Sequence, residues 1–308
     1  MKTIYIEEET LPIAWEKAVI ETWEKGDSFP TQYDKPGDAN SKDVTATIHV
    51  KNPFAEPRIH RCFPGGLDDL EKYTLEVLYG VHDHWIDPKN GKWEYTYHKR
   101  LFEYEVPCDC GGNPLYGDLM AGSQLCPKCQ NSGKMKIDQI EKCIDALKKC
   151  WFTRRAQAIT WMPWEDMGIS DPSCLQRLWL RIQEDDQGVK RLHMNINIRS
   201  NDAFKAGFMN MYAFTELQRM IAGCLGVELG SYTHVADSFH IYGSYFDAFK
   251  SFLETVKSRP ESERVYTTEF ANDFFIDGCD QLLAEKDMPN MKKSIISTVK
   301  KSLEDKVR

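Results

Sequence analysis

No apolar run in the 308 residues reaches the roughly 18–20 needed to cross a bilayer as a helix. The N-terminal stretch MKTIYIEEETLPIAWEK carries acidic residues where a secretory signal needs an apolar segment. Positive charge is also short. Lys and Arg number 39 against 47 Asp and Glu, a net −8 that argues against a broad basic face for gripping nucleic acid. Internal repeats and low-complexity tracts are missing too. Together these absences predict a soluble protein of the cytosol, or of a virus acting in its host's cytoplasm, with no membrane partner. What is present is core material: 42% hydrophobic and 12% aromatic residues are too many for a disordered chain.

Ten cysteines in a chain of this length, without a secretory signal, point to metal binding or catalysis before disulfides. Four of them form two tight pairs, Cys108-x-Cys110-Gly-Gly and Cys126-Pro-Lys-Cys129. Two such turns let four thiolates converge on one ion in a tetrahedral shell that suits zinc. The expectation is a structural zinc held by Cys108, Cys110, Cys126 and Cys129 in a ribbon-like insertion over 105–134, too small to have its own core. A reduced cysteine-rich loop is the bland alternative. The other six (Cys62, Cys143, Cys150, Cys174, Cys224 and Cys279) read mostly as small buried apolar residues.

Periodicity orders the rest. A strand and a helix (14–24) open the chain. Residues 26–43 are rich in Gly, Pro, Asp and Ser and read as a loop. Residues 44–50 alternate as a half-buried strand, 67–81 carry apolar positions at helical spacing, and the aromatic-rich 93–106 reads as a strand. A helix over 137–150 and a strand over 156–162 follow. Residues 175–183 and 190–200 form a hairpin about a turn at 186–188. A long apolar helix (208–227), a strand (228–242) and a helix (244–257) lead to a helical C-terminal extension, 258–308. In that extension Met291, Ile295, Ile296, Val299, Leu303 and Val307 make one stripe. Strands and helices mix without a βαβ rhythm, which predicts α+β.

Cys174 sits in Asp-Pro-Ser-Cys-Leu-Gln, at the mouth of a strand after a proline turn. Alone it reads as a buried small residue. Its company changes that. Arg199 and Ser200 precede a helix carrying Asn210. His240 and Tyr242 end a strand, and Arg154-Arg155 precede another. Arginines for an anion, an amide for a heterocycle edge and a thiol together suit a nucleotide base and its phosphate. Each has a plainer reading: a solvated pair for the arginines, a helix N-cap for Asn210, a core residue for Tyr242.

The segments DQIEKCIDALKKCWFTRRAQAITWMPWED, DPSCLQRLWLRI, RSNDAFKAGFMNMYAF and DSFHIY occur in the order and near the spacings of thymidylate synthase and the related pyrimidine-nucleotide hydroxymethylases, and the chain resembles that family over about 70–250. The resemblance implies one thymidylate synthase-like α+β domain over 1–308, a mixed sheet flanked by helices with the small zinc-ribbon-like insertion. It also implies a homodimer with shared active sites, dUMP as substrate and 5,10-methylenetetrahydrofolate as carbon donor. Cys174 would add to C6 of the pyrimidine, its pKa lowered by nearby arginines. Arg199 and Ser200 would hold the phosphate, with Arg154 and Arg155 supplied by the partner subunit. Asn210 would read the O4 and N3 edge, which favours uracil over cytosine. His240 and Tyr242 would bind the sugar hydroxyl, and Asp202 the pterin. Glu76 would order water and relay protons, and Tyr97 would lie near the proton lost from C5.

Three departures stand out. The family's Arg-Thr-Gly phosphate loop is missing, and 26–43 offers Lys35, Lys42 and backbone amides instead. The cysteine insertion lies outside the common core. The chain ends Ser-Leu-Glu-Asp-Lys-Val-Arg in place of the short apolar tail that folds over the folate. That tail excludes water during hydride transfer, so its loss favours a 5-hydroxymethyl product. The expected reaction is dUMP methylation to dTMP. The alternatives are 5-hydroxymethylation of dUMP (or of dCMP or CMP) and, more remotely, a zinc-ribbon nucleic-acid-binding protein on a degenerate enzyme scaffold.

Overall fold

The computed structural model describes residues 1–112 and 125–307. In chain order the strands are β1 (Thr3–Glu8), β2 (Asp27–Phe29), β3 (Ser41–Val50), β4 (Ile59–His60), β5 (Tyr104–Pro107), β6 (Lys134–Ile137), β7 (Gln157–Ile159), β8 (Leu175–Glu184), β9 (Lys190–Asp202), β10 (Glu228–Ile241) and β11 (Val265–Tyr266). The helices are α1 (Leu11–Lys25), α2 (Leu67–Tyr79), α3 (Tyr97–Phe102), α4 (Gln139–Lys149), α5 (Pro163–Asp166), α6 (Gly207–Leu225), α7 (Phe246–Ser258), α8 (Thr268–Ala284) and α9 (Asn290–Val307). The main sheet runs β1-β3-β10-β9-β8-β7, with β2 on β3. Its β1–β3 and β9–β10 pairs are parallel and the others antiparallel, so the sheet is mixed and the fold is α+β.

Strand alternation decides which face is core. On β3, Val44, Ala46, Ile48 and Val50 are fully buried, while Thr45, Thr47 and His49 are half-exposed on the other face. The apolar face packs α1 and α6, whose Trp15, Phe208, Phe214 and Leu217 are buried. The Trp15 indole donates to the Ala203 carbonyl at 2.9 Å, which satisfies the one polar atom of that ring. Helix α2 lies between α6 and the C-terminal pair α8 and α9.

Several expectations change. Residues 93–106 are not one strand: Thr96 caps the short helix α3 by accepting the Lys99 N–H, and only 104–107 is extended. The helix wins because it turns Arg100 and Leu101 into the interior, where Arg100 forms a paired bridge to buried Asp166. The loop 26–43 contributes β2 and the first residues of β3. On α9, Ile296 and Leu303 are buried but Met291 is 75% exposed, so the apolar stripe begins later than its spacing implies. Among the scattered cysteines Cys143 and Cys279 are buried, Cys62, Cys150 and Cys174 half-buried, and Cys224 exposed near the end of α6. Residues 113–124, the interior of the cysteine insertion, lie outside the described residues.

Candidate active site

One cavity of about 1530 Å³ opens at the end of β3, β9 and β10. That exceeds the ~300–1,000 Å³ of an ordinary small-ligand pocket, and it leaves room for two ligands side by side. Cys174, Glu76, Tyr97, Asn210, Arg199, Ser200, Asp202, His240 and Tyr242 all line it.

The β8–β9 hairpin sets the thiol. Cys174 immediately precedes β8, and its carbonyl accepts the Arg199 N–H at 2.9 Å. Its own N–H donates to Tyr95 Oη at 3.2 Å. The Arg199 guanidinium spans the same turn, donating to the Ser173 carbonyl at 3.0 Å and the Pro172 carbonyl at 2.5 Å, and lies 3.7 Å from Cys174 Sγ. Burial pushes the Cys174 thiol up, and the Arg199 charge only partly offsets it. The expected depression by arginines is therefore not seen within one chain: a single guanidinium faces the sulfur, and desolvation outweighs it.

Glu76 comes from α2 and is held by a residue that sequence reasoning missed. His82 Nδ1 lies 2.9 Å from Glu76 Oε2, with its ring stacked on Trp85 at 3.8 Å between centroids. Its Nε2 faces Glu285 at 3.5 Å. Burial pushes His82 down, but Glu76 and Glu285 outweigh it and the net shift is upward. Tyr73, one helical turn before Glu76, donates to Asn210 Oδ1 at 2.5 Å. Asn210 lies within α6 and is buried; Ala206 occupies the N-cap, so the capping alternative fails. Tyr73, Tyr95 and Tyr97 are phenols pushed up by burial, so each stays a protonated donor.

Register assembles the far wall. His240 on β10 pairs with Asp202 on β9 and with Asp43 on β3. Asp202 Oδ1 accepts the N–H groups of Phe204 and Lys205, fixing the turn into α6. Burial raises the Asp202 carboxyl to about 6. Lys35 lines the cavity and Lys42 does not. Arg154 and Arg155 are exposed after α4 and are not brought to this chain's own cavity.

The four clustered cysteines are buried, and their sulfur atoms lie within 4.8 Å of one another. The base of this knot is the β5–β6 pair. Cys108 N–H donates to the Gly133 carbonyl at 2.8 Å, and Gly111 and Gly112 take positive φ in the first turn. Cys108 and Cys126 sulfurs are 3.8 Å apart and Cys110 and Cys129 sulfurs 3.1 Å apart. A tetrahedral shell with Zn–S near 2.3 Å needs sulfurs about 3.8 Å apart. The Cys108–Cys126 pair meets that spacing and the Cys110–Cys129 pair lies closer, while four converging thiols are the donor set that zinc takes.

The family model for thymidylate synthase matches residues 69–276. A Methanocaldococcus jannaschii protein named "Putative thymidylate synthase" is 28% identical over 255 residues, covering 80% of this chain and 95% of its own. Thymidylate synthase from Bacillus mojavensis is 27% identical over 154 residues, covering 50% of this chain and 53% of its own. The solved structure of thermostable thymidylate synthase A from Bacillus subtilis superposes with a TM-score of 0.56 at 20% identity, covering 80% of this chain and 84% of that one. At that identity the likeness speaks for the fold alone. The family match spans Cys174, Asn210 and Arg199, which share the cavity, and the chain belongs to the thymidylate synthase family of C1-transferring enzymes.

Proposed function

We propose that this chain transfers a one-carbon unit from 5,10-methylenetetrahydrofolate to C5 of dUMP through a covalent bond at Cys174, giving dTMP. The observation that carries this is the shared cavity of Cys174, Asn210 and Arg199. Cys174 Sγ adds to C6 of the ring and makes C5 the nucleophile. Asn210 pairs with O4 and N3, while Arg199 and Ser200 receive the phosphate. Glu76 relays protons at O4 through water, and Tyr97 lies near the proton that leaves C5. His240 and Tyr242 face the sugar, and Asp202 faces the pterin. The folate supplies the carbon and, for methylation, the hydride.

The test is mass analysis of the product from dUMP and methylenetetrahydrofolate, with Cys174→Ser abolishing turnover. A serine variant that turns over normally rejects the reading. One observation favours a second product. The cavity is lined by Asp34, Lys35, Asp38, Lys92 and Glu94 as well as the inner residues, a wet mouth through which water reaches an exocyclic methylene. That outcome is 5-hydroxymethyl-dUMP. It appears as a product without the absorbance change of dihydrofolate formation.

The cysteine knot is proposed to hold one structural zinc per chain, which would staple the segment between α3 and α4. Metal analysis well below one ion per chain rejects it. The active form is proposed to be a homodimer in which Arg154 and Arg155 complete the partner's phosphate site.

A further inference from the structure

A second cluster of metal-ligand side chains lies outside the cavity. It joins the single 3-10 turn Asp83–Trp85, just after α2, to the connection between α8 and α9. Ligand-type atoms of His84, Glu285 and Asp287 lie within 4.8 Å of one another, and none of the three residues lines the cavity around Cys174. Both ring nitrogens of His84 and Oε2 of Glu285 are buried with no hydrogen-bond partner among the described residues. Buried polar atoms are almost always paired, so three bare ones on two adjoining side chains call for a bound group.

The spacing suits an ion better than a hydrogen bond. His84 Nε2 and Asp287 Oδ2 are 3.5 Å apart, beyond the ~2.7–3.2 Å of an N–H···O bond. Two ligands each about 2.0–2.1 Å from a tetrahedral zinc lie about 3.4 Å apart. Two carboxylates gathered on one imidazole also concentrate negative charge that a cation neutralises. Both carboxylates are steadied by neighbours. The Trp85 indole N–H donates to Asp287 Oδ2 at 3.2 Å, and His82 Nε2 lies 3.5 Å from Glu285 Oε1. Outer-shell groups hold metal ligands in this way. The Asp287 side chain is 65% exposed, which gives an ion a path in from solvent.

We propose that His84, Glu285 and Asp287 bind one divalent transition-metal ion of the zinc type, with water in the remaining place, and that the ion pins the α8–α9 connection to the turn after α2. An imidazole with two carboxylates and no sulfur separates this site from the four-thiol knot. The imidazole also selects against magnesium and calcium, which take oxygen ligands. Glu285 and Asp287 lie beyond residue 276, where the family match ends, so the site belongs to this chain's C-terminal extension. The ion stands two side chains from Glu76, because Glu285 faces His82 and His82 holds Glu76. The assignment depends on neither the nucleotide nor the reaction proposed above.

The test is zinc content at equilibrium. Wild type, His84→Ala and Asp287→Ala, all with the cysteines intact, are dialysed against the same micromolar free zinc, and metal per chain is measured. Wild type should hold one ion more per chain than either variant, whatever number the knot contributes. Zinc should also raise the wild-type Tm by several degrees more than it raises that of either variant. Equal zinc content in the three proteins overturns the proposal, as does the same one-ion difference with magnesium in place of zinc. Because Asp287 is exposed, Asp287→Ala keeps the fold, and its Tm without added metal separates loss of the ion from loss of structure. A knot that binds no metal lowers all three counts together and leaves the difference intact.

Discussion

Cys174 meets two opposing forces at once, and burial prevails over the one guanidinium 3.7 Å away. Its thiolate is therefore scarcer at neutral pH than that of an ordinary cysteine, and a reactive state depends on added positive charge. Alkylation of Cys174 by iodoacetamide should rise with pH to a midpoint above the usual thiol value of about 9. Arg199→Gln removes the favourable charge, moves that midpoint higher and slows alkylation at pH 8 several-fold; an unchanged rate would show that Arg199 does not tune the sulfur. Cys174 was legible as a candidate nucleophile through its company of Arg199, Asn210 and His240, because the Pro-Ser-Cys turn alone reads as a buried small residue. Asp43, which lines the same cavity, was not legible, because it lies in a stretch whose Gly, Pro and Asp content reads as loop. Its position depends on strand pairing, which composition does not encode. His82 was hidden for a related reason: it reaches Glu76 only because the chain turns back at Gly80, a left-handed cap after α2.

Helix α2 works on two sides. One side presents Tyr73 and Glu76 to the cavity, and the other packs α8 and α9. His82 ties these sides together, since Glu285 follows α8 and faces the same imidazole as Glu76. Because the folded pKa of His82 is raised, its contribution is fully present below the unfolded value of about 6.5 and is lost as pH rises through the folded one. His82→Asn should therefore cost about 1–2 kcal/mol at pH 6 and clearly less at pH 9, read from paired thermal melts. An equal loss at both pH values would mean that packing on Trp85, not charge, is what His82 supplies. The periodic signal that located α2 and α6 was strong because each buries an apolar face. The same signal misjudged 93–106, where aromatic residues suit a strand and a buried Arg100–Asp166 bridge needs a helix.

The whole molecule presents one sheet face to its helices and leaves the other half-exposed, with Thr45, Thr47, His49, Asn195, Asn197 and Thr233 on it. Arg154 and Arg155 stand outside this chain's own cavity, as a shared site requires. On the proposed homodimer, mixing Cys174→Ser chains with chains carrying both Arg154→Ala and Arg155→Ala should restore about a quarter of wild-type turnover, since half the proposed dimers would be mixed and each of these would hold one intact site. No recovery would place the arginines elsewhere. The strands and the hairpin were readable from alternation, while the mixed sheet was legible only through the family resemblance. The far wall of the cavity was not, because it depends on a register shift in β10 between Ala236 and Phe239. Before that shift Tyr232, His234 and Ala236 point into the core; after it Phe239 and Ile241 do, while Ser238 and His240 turn to the cavity. One irregular step lets a single strand change which neighbours it serves along its length. Excising one residue there would make the pairing with β3 regular and leave Phe239 facing the core, but it would slide His240 one place along β9 and out of line with Asp202, so the extra residue serves the cavity and not the packing.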